Sequence, residues 1–264
     1  MAAPGYYFER VDEHRFQPTN HAGGGWDPTE LHFSPLGGLI VHAVEQHMAG
    51  RSESGLLLGR ISFDILGRLG LEECEITVDT ARRGLTIELI TATVRIAGRT
   101  VVHAHAWYLT TVDTTAVAGG GSGPLPPPDT LPSWPMTSIW PGGFVASLDV
   151  RPIAPPEPGH TVAWVTTDIE LVDGEDVSAL AAFIALVDIA NGLAARETPT
   201  EWMYPNTDLT IHLHRQPHGH WVGLDTTVVF GPTGQGVTST TLHDGSGPVG
   251  YAHQILTVRP APPR

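Results

Sequence analysis

The sequence predicts an α+β chain in which one arrangement, a helix followed by an antiparallel sheet, is built twice. Two observations predict this. From Ile61 to Thr110 the chain reads strand, hairpin, strand, hairpin, strand, with turns at Arg83-Gly84 and Ala97-Gly98, and from Leu209 to Thr257 the same order recurs, with turns at Gly234-Gln235-Gly236 and Asp244-Gly245-Ser246-Gly247. Each block also follows an apolar, helix-like segment, Leu36 to Met48 in the first half and Val177 to Ala195 in the second. Duplication of this kind makes each copy one supersecondary unit and draws attention to the space between the copies as the place for a site.

The elements follow from local pattern. Glu75 to Thr80 and Leu85 to Ile90 alternate apolar and polar side chains, as strands with one wet face do, and Thr100 to Leu109 and Val249 to Val258 behave alike. Leu180, Ala181, Ile184, Val187, Asp188 and Ala195 fall at helical spacing in Ala-rich surroundings, so the second helix is expected to be buried on most sides, with Asp176 as its cap. Between the halves, Gly119 to Pro124, Pro126-Pro127-Pro128 and a Trp/Pro stretch ending at Gly143 cannot support a regular element. The expected organisation is an N-terminal domain over 1–117, a Gly/Pro-rich connector over 118–143 and a C-terminal domain over 144–264. Trp134 and Trp140 are expected to pin the connector to the surface beneath it rather than to form a moving lid.

Composition removes several function classes. The 264 residues carry 28 acidic against 14 basic groups, a formal charge of −14, which argues against a nucleic-acid partner. Every basic residue is Arg, so Schiff-base chemistry, a pyridoxal-phosphate anchor and the P-loop lysine are all excluded. No apolar run is long enough to span a membrane, the N-terminus lacks signal-peptide features and the lone Cys74 forms no internal disulfide, so a cytoplasmic protein is expected. No Gly-x-Ser-x-Gly elbow, His-Glu-x-x-His or dinucleotide fingerprint is present, and the run His212, His214, His218, His220, broken by Pro217 and Gly219, does not read as a metal site. No cofactor is called for.

Asn206-Thr207-Asp208-Leu209-Thr210-Ile211-His212-Leu213-His214-Arg215, Trp221 to Asp225, Gly236, Asp244-Gly245 and Gly250-Tyr251-Ala252-His253-Gln254 together resemble the C-terminal half of acyl-CoA thioesterases with a double-hotdog fold. Pro35-Leu36-Gly37-Gly38, Arg60 to Leu66 and Arg82-Arg83-Gly84 resemble the N-terminal half of the same family. The resemblance implies two antiparallel sheets, each wrapped around a long helix and joined edge to edge. It also implies hydrolysis of an acyl-CoA thioester, without a covalent intermediate, by a water held by a carboxylate, a hydroxyl and a side-chain amide.

Carried over by position, the carboxylate is Asp208 and the amide Gln254, expected close enough to share one water. The hydroxyl position falls on Val228 or Val229, so the resemblance is broken there and Thr227, which shares the strand face of Val229, is the nearest replacement. Gly37 and Gly38 at a helix start would either aim backbone N–H groups at the thioester carbonyl or permit close packing. Arg82, Arg83 and Arg215 are the expected partners of the CoA phosphates. A non-catalytic acyl-binding protein, or a hydratase using Asp208 with His212, is the alternative. Homo-oligomerisation stays open.

Overall fold

The computed structural model describes residues 5–49 and 55–262. The N-terminal half runs β1 (Tyr6–Arg10), β2 (Arg15–Pro18), α1 (Phe33–Ala49), β3 (Leu56–Ile65), β4 (Cys74–Arg82), β5 (Ile87–Ile96) and β6 (Arg99–Thr110). Beyond the connector come α2 (Gly143–Ala146), β7 (Leu148–Pro152), β8 (His160–Thr167), β9 (Glu170–Val172), α3 (Ala179–Ile184), α4 (Ala190–Leu193) and β10 (Trp202–Met203). The chain closes with β11 (Asp208–Leu213), β12 (Val222–Phe230), β13 (Gln235–Asp244), β14 (Gly247–Thr257) and β15 (Arg259–Pro260).

The duplication is gapless where it matters. Strand β12 begins and ends 148 residues after β4, from Cys74 to Val222 and from Arg82 to Phe230, and β13 stands in the same relation to β5. Register repeats too: Ile90 opposes Ala106 in the first half and Thr238 opposes Gln254 in the second. The α+β reading therefore holds, and the expected edge-to-edge joining leaves not two separate sheets but one continuous sheet. Strands β3 and β11 pair antiparallel from Asp64↔Asp208 to Arg60↔His212, which fuses both halves into one 13-stranded sheet, ordered β7-β8-β12-β13-β14-β11-β3-β6-β5-β4-β2-β1-β9. Nor is it wholly antiparallel, because β9 crosses back to pair parallel with β1. Each half thus finishes an edge of the other.

The first helix is apolar on nearly every side, with Leu36, Leu39, Ile40, Val41 and Val44 buried. Pro35 lies in its first turn, where a missing N–H costs nothing, and the side chain of His32 accepts the otherwise orphaned N–H of Ser34 at 3.1 Å. Arg10 donates two hydrogen bonds to Glu175 (2.5 and 2.8 Å), whose carboxylate also contacts His42 Nε2 at 2.8 Å, tying α1 to β1 and to the approach to α3.

The second helix departs from expectation. Ser178 caps it, not Asp176, by accepting the N–H of Ala181 at 3.0 Å. It is also not continuous: α3 stops at Ile184, a 3-10 turn covers Val187–Ile189, and α4 resumes at Ala190. The amide of Gln254 donates to the backbone carbonyl of Asp188 in that 3-10 turn at 3.3 Å.

Neither Gly37 nor Gly38 has a free N–H to offer a ligand, and Gly38 belongs to packing. They lie in the second turn of α1, where helical N–H groups are already paired. A Cβ on Gly38 would come within 2.5 Å of Ala185 Cβ and 2.8 Å of the Ala181 carbonyl oxygen, so only glycine lets α1 cross α3 this closely. The connector is pinned as expected: Trp140 is buried and donates from Nε1 to Gly192 O at 2.9 Å. Its end is docked backbone to backbone, Gly25 N–H to Pro141 O at 3.0 Å and Phe144 N–H to Gly23 O at 2.9 Å, with Gly24 (φ 112°) and Gly142 (φ 138°) in conformations that favour glycine.

Gly38→Ala should destabilise the protein by about 1–3 kcal/mol through overpacking against backbone, outweighing the roughly 1 kcal/mol that alanine gains in helix propensity. Urea denaturation measures it, and an unchanged or raised midpoint would show that the crossing can relax.

Candidate active site

Strand alternation decides which groups can meet. In β11, Leu209 and Ile211 are buried, so Asp208 points to the opposite, outer face. In β14, Ala252, Gln254 and Leu256 are buried while His253 and Ile255 face out. Asp208 and Gln254 therefore lie on opposite faces and share no water, which corrects the expected pair. The carboxylate of Asp208 instead accepts the N–H of Ile255 at 2.6 Å, stitching β11 to β14. Thr227 is exposed on the outer face of β12 as well. Thr226 and Val228 point inward, but the Thr226 hydroxyl is bonded to that of Thr240 at 3.0 Å. No residue of that strand supplies a hydroxyl to Gln254.

The partner of Gln254 is Asp188, in the 3-10 turn that interrupts the second helix. Gln254 Nε2 donates to Asp188 Oδ1 at 2.8 Å, and Asn206 Nδ2 donates to the same oxygen, also at 2.8 Å. The amide orientations follow from the carboxylate, because a carbonyl turned toward it would set oxygen against oxygen. Asn206 is itself fixed by a second bond from Nδ2 to the Asp208 carbonyl at 3.0 Å, just before β11 begins. Gln254 Oε1 is buried and meets no donor among the described residues.

Asp188 is fully buried, and burial pushes its carboxyl up to about 7. The hydrogen bonds from Asn206 and Gln254 pull in the other direction, and the charge of Asp208 adds to the rise. A carboxylate of that basicity exchanges a proton readily near neutral pH, as an acid-base group must.

Asp188 and Asn206 open onto a cleft of about 130 Å³ between the halves, walled on the N-terminal side by His32, Phe33 and Ile65 and entered past Arg68. Burial holds His32 down to about 4, so its imidazole is neutral. With Nδ1 accepting from Ser34, the proton sits on Nε2, and the ring presents an uncharged N–H in the cleft. Asn191, one helical turn beyond Asp188, lines the same space. Cys74 is no nucleophile: it is buried with its thiol pushed up to about 12.

The expected phosphate contacts lie elsewhere. Arg215 makes a two-pronged salt bridge to the buried Asp244, 2.5 Å in each arm, and bonds the Pro248 and Gly247 carbonyls, so it holds the β13–β14 hairpin. Arg82 donates to Ile87 O at 2.9 Å. Ile65 at the cleft is level with Val102, Val94 and Ile76 across the sheet, and Arg82 lies six residues further along β4, roughly 20 Å away at about 3.3 Å per residue, with Arg83 beyond it. Arg68, which sequence reasoning passed over, is the arginine at the cleft mouth, paired with Glu30 and, at 3.3 Å, with Asp27. Asp188 had one sequence signal of its own: a carboxylate between Val187 and Ile189 in a run otherwise fit for burial.

A helix-and-sheet unit is built twice in this chain, with a polar cleft between the copies. The chain belongs to the acyl-CoA thioesterase family: the family's N-terminal domain matches residues 22–109 and its C-terminal domain residues 128–258. Among solved structures it is similar to a hot dog fold protein from Alicyclobacillus acidocaldarius, with TM-score 0.75 and 13% identity, covering 96% of each chain. A candidate thioesterase from Novosphingobium aromaticivorans gives TM-score 0.72 and 19% identity over 96% of this chain and 98% of that one. An acyl-CoA thioesterase II from Mycobacterium marinum gives 0.64 and 12%, over 96% of each. At such identities the likeness speaks for the fold. Comparison with curated proteins gives no match.

The raised carboxyl has a stability consequence. Because the folded value of about 7 lies above the ordinary 3.8, the folded state binds more protons than the unfolded one between them, and stability falls as pH rises through that window. At about 1.4 kcal/mol per unit, the loss attributable to Asp188 amounts to a few kcal/mol by pH 8. Asp188→Asn should remove this slope, so its melting temperature should exceed that of the wild type at pH 8 and the gap should close toward pH 4. Parallel pH profiles for the two proteins would rule out a strongly raised Asp188.

Proposed function

We propose that this protein hydrolyses an acyl-CoA thioester in the cleft between its halves, with Asp188 as general base. The observation that carries the reading is the convergence of two amides, from Asn206 and Gln254, on one buried carboxylate whose pKa is raised to about 7. Asp188 takes a proton from a water as the water oxygen attacks the thioester carbonyl carbon. The neutral His32 N–H and the amide of Asn191 donate to the oxyanion that forms. Collapse of the tetrahedral intermediate breaks the C–S bond, and the proton held by Asp188 passes to the departing sulfur, leaving a carboxylic acid and free CoA thiol. Asn206 and Gln254 orient the base, and Gln254 Oε1 can accept from the same water.

We assign the CoA portion to the groove that continues from the cleft mouth past Glu30, Arg68 and Leu69 to Arg99, where two guanidinium groups flank an open path. A net charge of −14 leaves such local contacts, not the general field, to hold an anionic ligand. The units 1–117 and 144–264 are read as one hotdog domain each, with 118–143 as connector, supported by the constant offset of their strands. Among the described residues no helix is long and apolar enough to cross a membrane, and a lone buried cysteine fits the reducing cytoplasm. The non-catalytic alternative drew its support from Val228 and Val229, which belong to a strand apart from the carboxylate, and the hydratase alternative from Asp208 and His212, which face outward; neither retains an observation in its favour.

Asp188→Asn should lower kcat against a hydrolysed acyl-CoA by roughly 10²- to 10⁴-fold with little change in binding, whereas Asp208→Asn should stay within about threefold of wild type. Wild-type kcat/KM should rise with pH and level off above about 7, tracking the ionised carboxylate. Steady-state kinetics over pH 5–9 checks both. Loss of turnover in Asp208→Asn with activity kept in Asp188→Asn would reverse the assignment.

A further inference from the structure

The cleft does not end at the carboxylate. Beside it, a smaller cavity of about 30 Å³ shares Trp26, His32 and Asn191 with the cleft and is lined on its other side by Met136, Trp140 and Gly192. Its position relative to Asp188 makes it the natural seat of the acyl group once the thioester carbonyl lies beside His32 and Asp188. The other way out passes the ion pairs that Arg68 makes with Glu30 and Asp27 and is the one assigned above to the CoA portion. In the smaller cavity the lining is aromatic and uncharged, His32 being neutral.

What limits that cavity is the connector. Trp140 packs edge-on against Trp26 with ring centroids 4.7 Å apart, and both meet Tyr204, at 5.1 Å from Trp26 and 6.0 Å from Trp140. The Trp140 ring cannot swing freely, since Nε1 is bonded to Gly192 O at 2.9 Å and the ring lies against Gly192, where even a methyl group would come within 3.3 Å. The docking of Pro141 to Phe144 on Gly23 to Gly25 fixes the backbone on one side of it. A cavity of about 30 Å³ holds little more than a methyl-sized group, far below the roughly 300–1,000 Å³ of sites that enclose a whole small molecule. It has room for a compact group and a rigid aromatic end wall.

We propose that Trp140, backed by Trp26, ends the acyl side of the cleft and makes this protein selective for thioesters of short or compact acyl groups. The connector is then a chain-length ruler contributed from outside both repeated units. This rests on the reading of the cleft as a thioesterase site, and the test separates the two.

The experiment measures kcat/KM for straight-chain acyl-CoA esters from acetyl to palmitoyl, together with the affinity of the corresponding non-hydrolysable S-alkyl-CoA thioethers, for wild type, Trp140→Ala, Trp140→Phe and Trp26→Ala. Wild type should favour butyryl over palmitoyl by roughly tenfold or more, the scale on which an apolar pocket discriminates. Trp140→Ala should raise the palmitoyl-to-butyryl ratio by at least roughly tenfold, with Trp140→Phe between. Should Trp140→Ala not fold, by its melting curve, Trp26→Ala opens the same wall from the other side and should shift the ratio in the same direction. Equal rates on palmitoyl and butyryl in wild type, or a folded Trp140→Ala with an unchanged profile, overturns the proposal while leaving the thioesterase reading intact. If wild type hydrolyses no ester, that reading falls, and the thioethers still decide the ruler: affinity falling with chain length in wild type but not in Trp140→Ala supports it, and affinity rising with length in both overturns it.

Discussion

The antiparallel pairing of β3 with β11 governs everything else in this molecule. Five cross-strand partners, from Asp64↔Asp208 to Arg60↔His212, convert two small sheets, each with an exposed edge, into one sheet in which neither edge is left at the centre. The same pairing sets the end of β3 at Ile65 against the backbone just before β11, where Thr207 O accepts the Ile65 N–H at 2.8 Å. Asn206 precedes that contact by one residue. The cleft forms because the first half ends a strand where the second half begins one, and the two central helices cross above the seam through the glycine at position 38.

Duplication gave two equivalent places for chemistry, and the chain equips one. At the repeat offset of 148 residues, Asp188, Asn206 and Gln254 correspond to Ile40, Leu58 and Ala106, all buried and all apolar. In the first half the central helix is continuous and its interior is packed. In the second it is broken, carries a carboxylate in a place that disfavours charge, and leaves Gln254 Oε1 without a donor among the described residues. One half is built for stability and the other accepts a local cost, the pattern that functional sites show when each local choice is compared with its unburdened twin.

Much of this was legible in the chain itself. Arg83-Gly84 and Ala97-Gly98 mark the hairpins between β4, β5 and β6, and period-two alternation marks the strands, because turns and half-buried strands are set by nearest neighbours. The alternation of Leu209 and Ile211 also turns Asp208 outward, a local fact that outranks its position in a motif. Three things had no local signature. The fusion of the sheets depends on edge pairing across a sequence distance of more than a hundred residues. The hold on the turn after Leu186 depends on a glutamine arriving from β14, which donates to the Asp188 carbonyl. The joint hold on Asp188 depends on two amides that share no pattern with it. Cys74 reads as an ordinary residue in the sequence and the fold uses it as such, whereas Arg215, expected at the CoA phosphates, is engaged by Asp244, which no local pattern announces.

The account stands on one physical claim, that the interior of the C-terminal half keeps the Asp188 carboxyl in exchange with its proton near neutral pH while two amides hold it in place. Infrared difference spectroscopy of wild type against Asp188→Asn, followed over pH 4–9, reads the carboxyl C=O stretch of that single group. The account predicts a band present in acid that disappears with a midpoint near 7. A midpoint close to 3.8, the value of a solvated aspartate, would contradict it and leave the cleft without its base.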